Sequence, residues 1–155
     1  MAIARGAGTE IIRSIHLEDV DSTHRFLIIG EQHHIYTVLS ITVMAYNIQA
    51  AGNYVRCYLL GYDSLVGETQ EDHYIFHQDM QALQTFVWND KFSFNGVEPT
   101  GTSGAFGAGD AAADLAYQNA LADQGGSAIT ALKIYTENAS DGFDVTCTYI
   151  DQNNA

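Results

Sequence analysis

Along much of the chain, apolar and polar residues alternate with period two, in segments rich in β-branched and aromatic residues and bounded by Gly, Asn and Asp. A strand turns successive side chains to opposite faces, so this is the pattern of half-buried β-strands. The longest run is Ile35 to Tyr46. Ile35, Thr37, Leu39, Ile41, Val43 and Ala45 are expected to face a core, and Tyr36, Val38, Ser40, Thr42, Met44 and Tyr46 to face away from it. The second face is only half polar, which predicts that something covers part of it. From Tyr54 to Leu60 the pattern repeats, with Val55, Cys57 and Leu59 inward, Tyr54, Arg56 and Tyr58 outward, and Gly61 as the stop.

Further strands are predicted at Glu10 to Leu17, Arg25 to Ile29, Asp72 to Gln78, Gln84 to Trp88, Phe92 to Phe94, Leu132 to Glu137 and Phe143 to Tyr149. Their spacing, roughly 8–12 residues in the first half and at the C-terminus, predicts an all-β fold, a single β-sandwich or jelly-roll-like domain. The last two segments read as a closing hairpin. Leu132 and Ile134 alternate with Lys133 and Tyr135, an Asp141–Gly142 turn pair follows, and Phe143, Val145, Cys147 and Tyr149 alternate with Asp144, Thr146 and Thr148.

Two stretches break the alternation. Between Val97 and Ser127, a Gly-rich loop leads into an Ala-rich stretch with Asp110 as N-cap, Leu115 and Leu121 as helix formers and Gly125 as the stop. One loop and one short helix are therefore predicted as an insertion at 97–127, and long excursions of this kind serve contacts. Residues 1–8, with two glycines, three alanines and no alternation, are predicted to form a flexible N-terminal arm preceding a domain at 9–155. The arm segment Ala2, Ile3, Ala4, Arg5 carries a cation and no carboxylate, which makes it a candidate docking element for an acidic surface.

A chain of 155 residues with 46% hydrophobic residues suffices for one core. Charge narrows the partners: 19 Asp and Glu against 6 Lys and Arg leave a formal net charge of −13. The cations Arg5, Arg13, Arg25, Arg56, Lys91 and Lys133 are scattered singly, which argues against nucleic acid and against anionic membranes. No apolar run approaches the ~20 residues of a membrane span, and the first ten residues lack the apolar stretch of a signal peptide, so the protein is expected to remain soluble where it is made. In that compartment Cys57 and Cys147 are expected as reduced core residues.

Motifs for chemistry are weak. His73 and His77 would share a metal on a helix, but on a strand they stand about 13 Å apart. His33 and His34, adjacent on a strand, face opposite sides and read as a polar pair beside a turn. Gly107 to Ala112 has the glycines of a dinucleotide loop without the preceding strand, and Asp110 would oppose a phosphate. Glu18, Asp19 and Asp21, and the turn from Asp141 to Asp144, hold carboxylates that suit Ca²⁺ but lack the spacing of an EF-hand loop, and read as acidic turns. Gly101 to Gly104 lacks the nucleophile-elbow spacing, and the Asn138 sequon matters only in a secreted eukaryotic protein. No catalytic residue, metal ligand or cofactor is assigned.

The phrases ARGAGTEIIRSIHLEDV, QHHIYTVLSI, TFVWNDKFSFNG and TENASDGFDVTCTYIDQNN make the chain resemble small virion structural proteins of contractile-tailed phages of marine cyanobacteria, over nearly its whole length outside 97–127. More loosely, Asp90-Lys91-Phe92 followed by the segment Leu132 to Ile150 is similar to phage β-sandwich accessory proteins. The resemblance implies a non-enzymatic particle component, a head decoration or cement protein, made in the host cytoplasm and docked on the major capsid protein or another virion protein. The anionic charge favours the outer surface over a lumen that holds DNA. The alternatives are a tail or baseplate accessory protein, or a carbohydrate- or receptor-binding module using Trp88 and the nine tyrosines. A homo-oligomer is expected through Tyr36, Met44, Tyr54, Tyr58 and Leu60, as a trimer by analogy with other phage decoration proteins.

Overall fold

The computed structural model describes residues 8–61, 71–97 and 129–154. These residues form nine strands: β1 (Glu10–Val20), β2 (Arg25–Ile29), β3 (His34–Asn47), β4 (Asn53–Gly61), β5 (Glu71–Met80), β6 (Thr85–Trp88), β7 (Phe92–Asn95), β8 (Ala131–Thr136) and β9 (Gly142–Asn153). Each expected strand is present, most of them a few residues longer than the alternation indicates. The fold is all-β, with two antiparallel sheets.

Sheet I has the order β1-β9-β3-β6, with β7 also paired to β3, and sheet II has the order β2-β8-β4-β5. The pairs β1 with β9, β2 with β8, β3 with β6 and β7, and β4 with β5 are nested around the β4–β5 connection. Such nesting is that of one long antiparallel ribbon folded over on itself. The added pairs β9 with β3 and β8 with β4 then stitch alternate rungs of the ribbon into two sheets.

One apolar cluster joins the two sheets. Val38, Ile41, Val43, Phe143, Val145 and Cys147 come from sheet I, and Val55, Cys57, Phe76, Leu132 and Ile134 from sheet II. Complete burial of a side chain such as Leu132 or Ile134 contributes about 1.5–3 kcal/mol. Cys57 and Cys147 are free and fully buried, and burial pushes the Cys57 thiol well up and the Cys147 thiol to about 12. Aromatic contacts close one side, with Phe76 of β5 lying 5.0 Å from Phe86 and 5.8 Å from Trp88 of β6.

Two expectations are corrected. The alternation of β3 changes phase midway, because a bulge against β9 lies between Val38 and Ser40. Tyr36 and Val38 are therefore buried together with Ile41, Val43 and Ala45, while Ile35 and Thr37 face outward. One extra residue on a strand inverts the facing of everything beyond it. The closing hairpin is also absent: β8 pairs with β2 and β4, whereas β9 pairs with β1 and β3. The Asp141–Gly142 link is a corner between sheets. Asp141 holds it, accepting backbone N–H groups of Gln49 and Asn138 and the side-chain amide of Asn53. Gly142 passes beneath Tyr46, where a Cβ would lie 2.6 Å from the ring.

The expected helix from Asp110 and residues 1–7 of the expected arm lie outside the described residues. Gly8, the last residue assigned to the arm, already donates its N–H to the Asn153 carbonyl. Val97 and Ile129 form an antiparallel bridge, so these two residues lie side by side.

Candidate functional site

Sheet II turns outward an aromatic surface built on β4. Tyr54, Arg56, Tyr58 and Leu60 alternate with the core residues Val55, Cys57 and Leu59, so they share the outer face. The register adds Tyr135 opposite Arg56, Lys133 opposite Tyr58, and His77 opposite Arg56. Tyr74 joins them because a bulge in β5 leaves Ile75 unpaired and sets Tyr74 directly across from Tyr58.

Arg56 is the hub of this face. Its guanidinium carbon lies 4.3 Å from the Tyr54 ring centroid and 5.5 Å from that of Tyr74. Nη1 donates to the Tyr135 hydroxyl at 3.2 Å, and Nε donates to Nδ1 of His77 at 2.8 Å. Accepting on Nδ1 puts the proton of neutral His77 on Nε2, which faces Asp79 at 3.3 Å. His24 stacks flat on Tyr135 at 3.9 Å and hydrogen-bonds the Tyr58 hydroxyl at 2.5 Å. Lys133 sits over the Phe26 ring at 4.5 Å.

The electrostatics follow from this crowding. Burial, with the Asp72 charge behind it, pushes the Tyr58 phenol up to about 12. The hydrogen bond to Tyr135 raises Tyr74 and, from the other side, Arg56. Burial and then the Lys133 charge hold His24 below its usual value. Tyr58 and Tyr135 are sealed beneath their neighbours, whereas Tyr74 remains 53% exposed.

A second polar cluster lies on sheet I, beside the β2–β3 turn. Asp151 of β9, buried, meets Nδ1 of His34 at 2.6 Å and accepts from Nε of Arg13 at 3.0 Å. His34 also faces Glu31 at 3.5 Å, and the Glu31 N–H donates to the Tyr36 hydroxyl. Burial, then the Asp151 charge, pushes Tyr36 up to about 12. These contacts tie β1, β3 and β9 to the β2–β3 turn. Elsewhere Glu18, Asp19, Tyr46 and Asp144 line an open surface groove, joining carboxylates from the two acidic turns noted in the sequence.

The expected self-association residues do not form one surface. Tyr36 is buried in the core at 3% exposure, because of the β3 bulge, and Met44 is exposed on sheet I. Tyr54, Tyr58 and Leu60 lie on sheet II, with Tyr58 covered by its aromatic neighbours. Trp88, expected as a platform, is half-buried and packs inward on Phe76. The docking-arm residues Ala2, Ile3, Ala4 and Arg5 lie outside the described residues. His73 and His77 are both exposed, and the Ile75 bulge puts them out of phase. Among the described residues, no group of three or more His, Cys, Asp or Glu side chains is placed to hold a metal ion.

Sequence reasoning placed Tyr54, Arg56 and Tyr58 on one outer face but missed His24, Tyr74 and Tyr135 as their partners. The outward position of Tyr135 was available from its alternation with Ile134. Tyr74 was not, since its facing depends on the bulge.

No family model matches this chain, and no curated protein matches it. One similar solved chain comes from Bacillus endospore appendages, described as a novel family of disulfide-linked pili. It is 12% identical, with a TM-score of 0.38, and the similarity covers 100% of this chain and 97% of that one.

Proposed function

We propose that this chain is a non-enzymatic structural protein of a bacteriophage particle, decorating or cementing the outer surface of the capsid. The observation that carries this reading is the outer face of sheet II, where Tyr54, Tyr58, Tyr74 and Tyr135 are locked around Arg56. Tyr and Arg are the residues most enriched at the energetic centres of protein contacts, and interlocked rings lose little freedom on docking. The nested strand order supports a jelly-roll reading, with the interrupted β6–β7 pair acting as a single strand. Jelly rolls are a common architecture of viral capsid domains. The formal charge of −13 favours an exterior position over contact with packaged DNA.

The partner is the major capsid protein or another virion protein, and the same face would serve a tail or baseplate location. Quantified virion protein and a density map of intact particles test the reading. Hundreds of copies on the shell are expected, whereas a few to some tens would place the chain on the tail. Absence from purified particles would overturn the proposal. Tyr74→Ala and Arg56→Ala should lower incorporation while leaving the fold intact.

A second reading is a glycan- or receptor-binding platform, favoured by the exposed Tyr74 ring beside Arg56 and His77. Glycan-array binding that Tyr74→Ala abolishes would establish it.

A further inference from the structure

Sheet I, opposite the aromatic face, presents an outer surface almost free of formal charge. The register across β1, β9, β3 and β6–β7 sets out three successive rows. They run Ile12, Ile150, Thr37, Ser93; then Ser14, Thr148, Ser40; then His16, Thr146, Thr42, Val87. Only His16 in these rows can carry charge. Carboxylates lie at the ends, with Glu10 beyond the first row and Glu18 and Asp144 beyond the last, and at one edge, where the exposed Asp90 and Lys91 of the β6–β7 link lie alongside the middle row. In a chain with 19 acidic residues, so broad an uncharged face is a local exception.

Five of the seven hydroxyls in these rows are satisfied laterally. Ser14 pairs with Thr148 at 3.1 Å, Thr37 with Ser93 at 2.8 Å, and Nδ1 of His16 with Thr146 at 2.9 Å. Covering a polar group that already has its partner avoids most of the desolvation penalty that an unpaired group would suffer. Between and around the hydroxyls, apolar side chains face solvent: Ile12 at 70% exposure, Val87 at 52% and Met44 at 38%. The surface is thus ready to lose water.

We propose that the outer face of sheet I is a homotypic contact, on which a second copy of this chain packs sheet against sheet about a twofold axis near Thr148. Charge selects the occupant. Two copies at −13 repel each other through nearly every other surface, and this face lets them meet with carboxylates only at its ends and at the β6–β7 edge, where Asp90 has Lys91 beside it. Sheet II is the poorer surface for self-pairing, since it carries Arg56, Lys133, Asp72 and Asp79, and burying these charges without matched partners is unfavourable.

With strands ~4.8 Å apart and same-face residues ~7 Å apart, the rows and their flanks cover roughly 14 by 27 Å. Counted on both copies that is about 800 Å², below the ~1,200 Å² at which stable specific interfaces begin, so only a weak, concentration-dependent, exchanging dimer is expected. This inference does not rest on the particle reading. Purified protein tests it, while particle composition tests the other.

The experiment is sedimentation of the full chain over a wide concentration range, at low salt and at 0.5 M salt on the order of a 4 Å screening length. The wild type should shift toward dimer with concentration, and more strongly at high salt, where net-charge repulsion is screened. Thr148→Glu and, independently, the edge variant Ile12→Glu should each weaken association at least tenfold with unchanged circular dichroism. Tyr74→Glu on sheet II should leave it unchanged. A wild type that stays monomeric at every concentration and salt overturns the proposal. So does association that survives both sheet I variants, or that Tyr74→Glu abolishes instead.

Discussion

Oδ1 of Asp141 accepts the side-chain amide of Asn53 at 2.9 Å, joining the corner between β8 and β9 to the start of β4. The same oxygen accepts the Gln49 N–H at 2.9 Å, and Oδ2 accepts that of Asn138 at 3.1 Å. One buried carboxylate thus holds its own corner together and ties it to residues 49–53 at the point where the chain changes sheets.

Asp141→Ala should therefore destabilise the fold by about 3 kcal/mol, since it leaves buried donors without an acceptor. Asp141→Asn should recover part of this, because its one carbonyl oxygen can still accept. Urea unfolding of the two variants checks the order; equal and small effects would show that the corner does not depend on the carboxylate.

Gly30 and Gly96 pass each other at backbone distance. A Cβ on Gly30 would lie 1.9 Å from the Gly96 carbonyl oxygen, and one on Gly96 would lie 2.1 Å from the Glu31 carbonyl oxygen. Backbone cannot yield as a side chain does, so Gly30→Ala and Gly96→Ala should each cost about 3 kcal/mol or more. Thermal melts should show this against Gly52→Ala, where a Cβ meets nothing but φ is +85° and the strain is local.

The thiols of Cys57 and Cys147 should react slowly in the native state, because burial raises both and only the thiolate is nucleophilic. Labelling with a disulfide reagent should be slow in buffer and rapid in urea. Rapid native labelling at pH 8 would mean that the core opens there.

His24 gives the fold a pH dependence of definite sign. Burial, then the Lys133 charge, holds the imidazole below its ordinary 6.5, so the folded protein binds fewer protons than the unfolded one. Its contribution is fully present above pH 6.5 and is lost as pH falls through the lowered folded value. An NMR titration of the His24 ring should show a midpoint below 6.5, and His24→Gln should flatten the acid limb of stability. A midpoint at or above 6.5 would contradict the desolvation of His24 and the influence of Lys133 on it.

Alternation alone determined that the described residues are all-β and where their strands lie, because period two is imposed residue by residue by the pleat. It also set the facing of β4 and β8, which remain in phase over the core-facing residues Val55, Cys57, Leu132 and Ile134. Only the tertiary structure decided which strands pair. Glu10 finds Gln152 and Arg25 finds Ile134, partners whose separation no local pattern encodes. The same limit turned an Asp141–Gly142 hairpin into a corner, since a turn sequence specifies a reversal but not the sheet that receives the next strand. Bulges were equally illegible. Placing one extra residue in β3 and one in β5 moved Tyr36 into the core and Tyr74 onto the aromatic face, and a bulge is chosen by how the strand fits its neighbours.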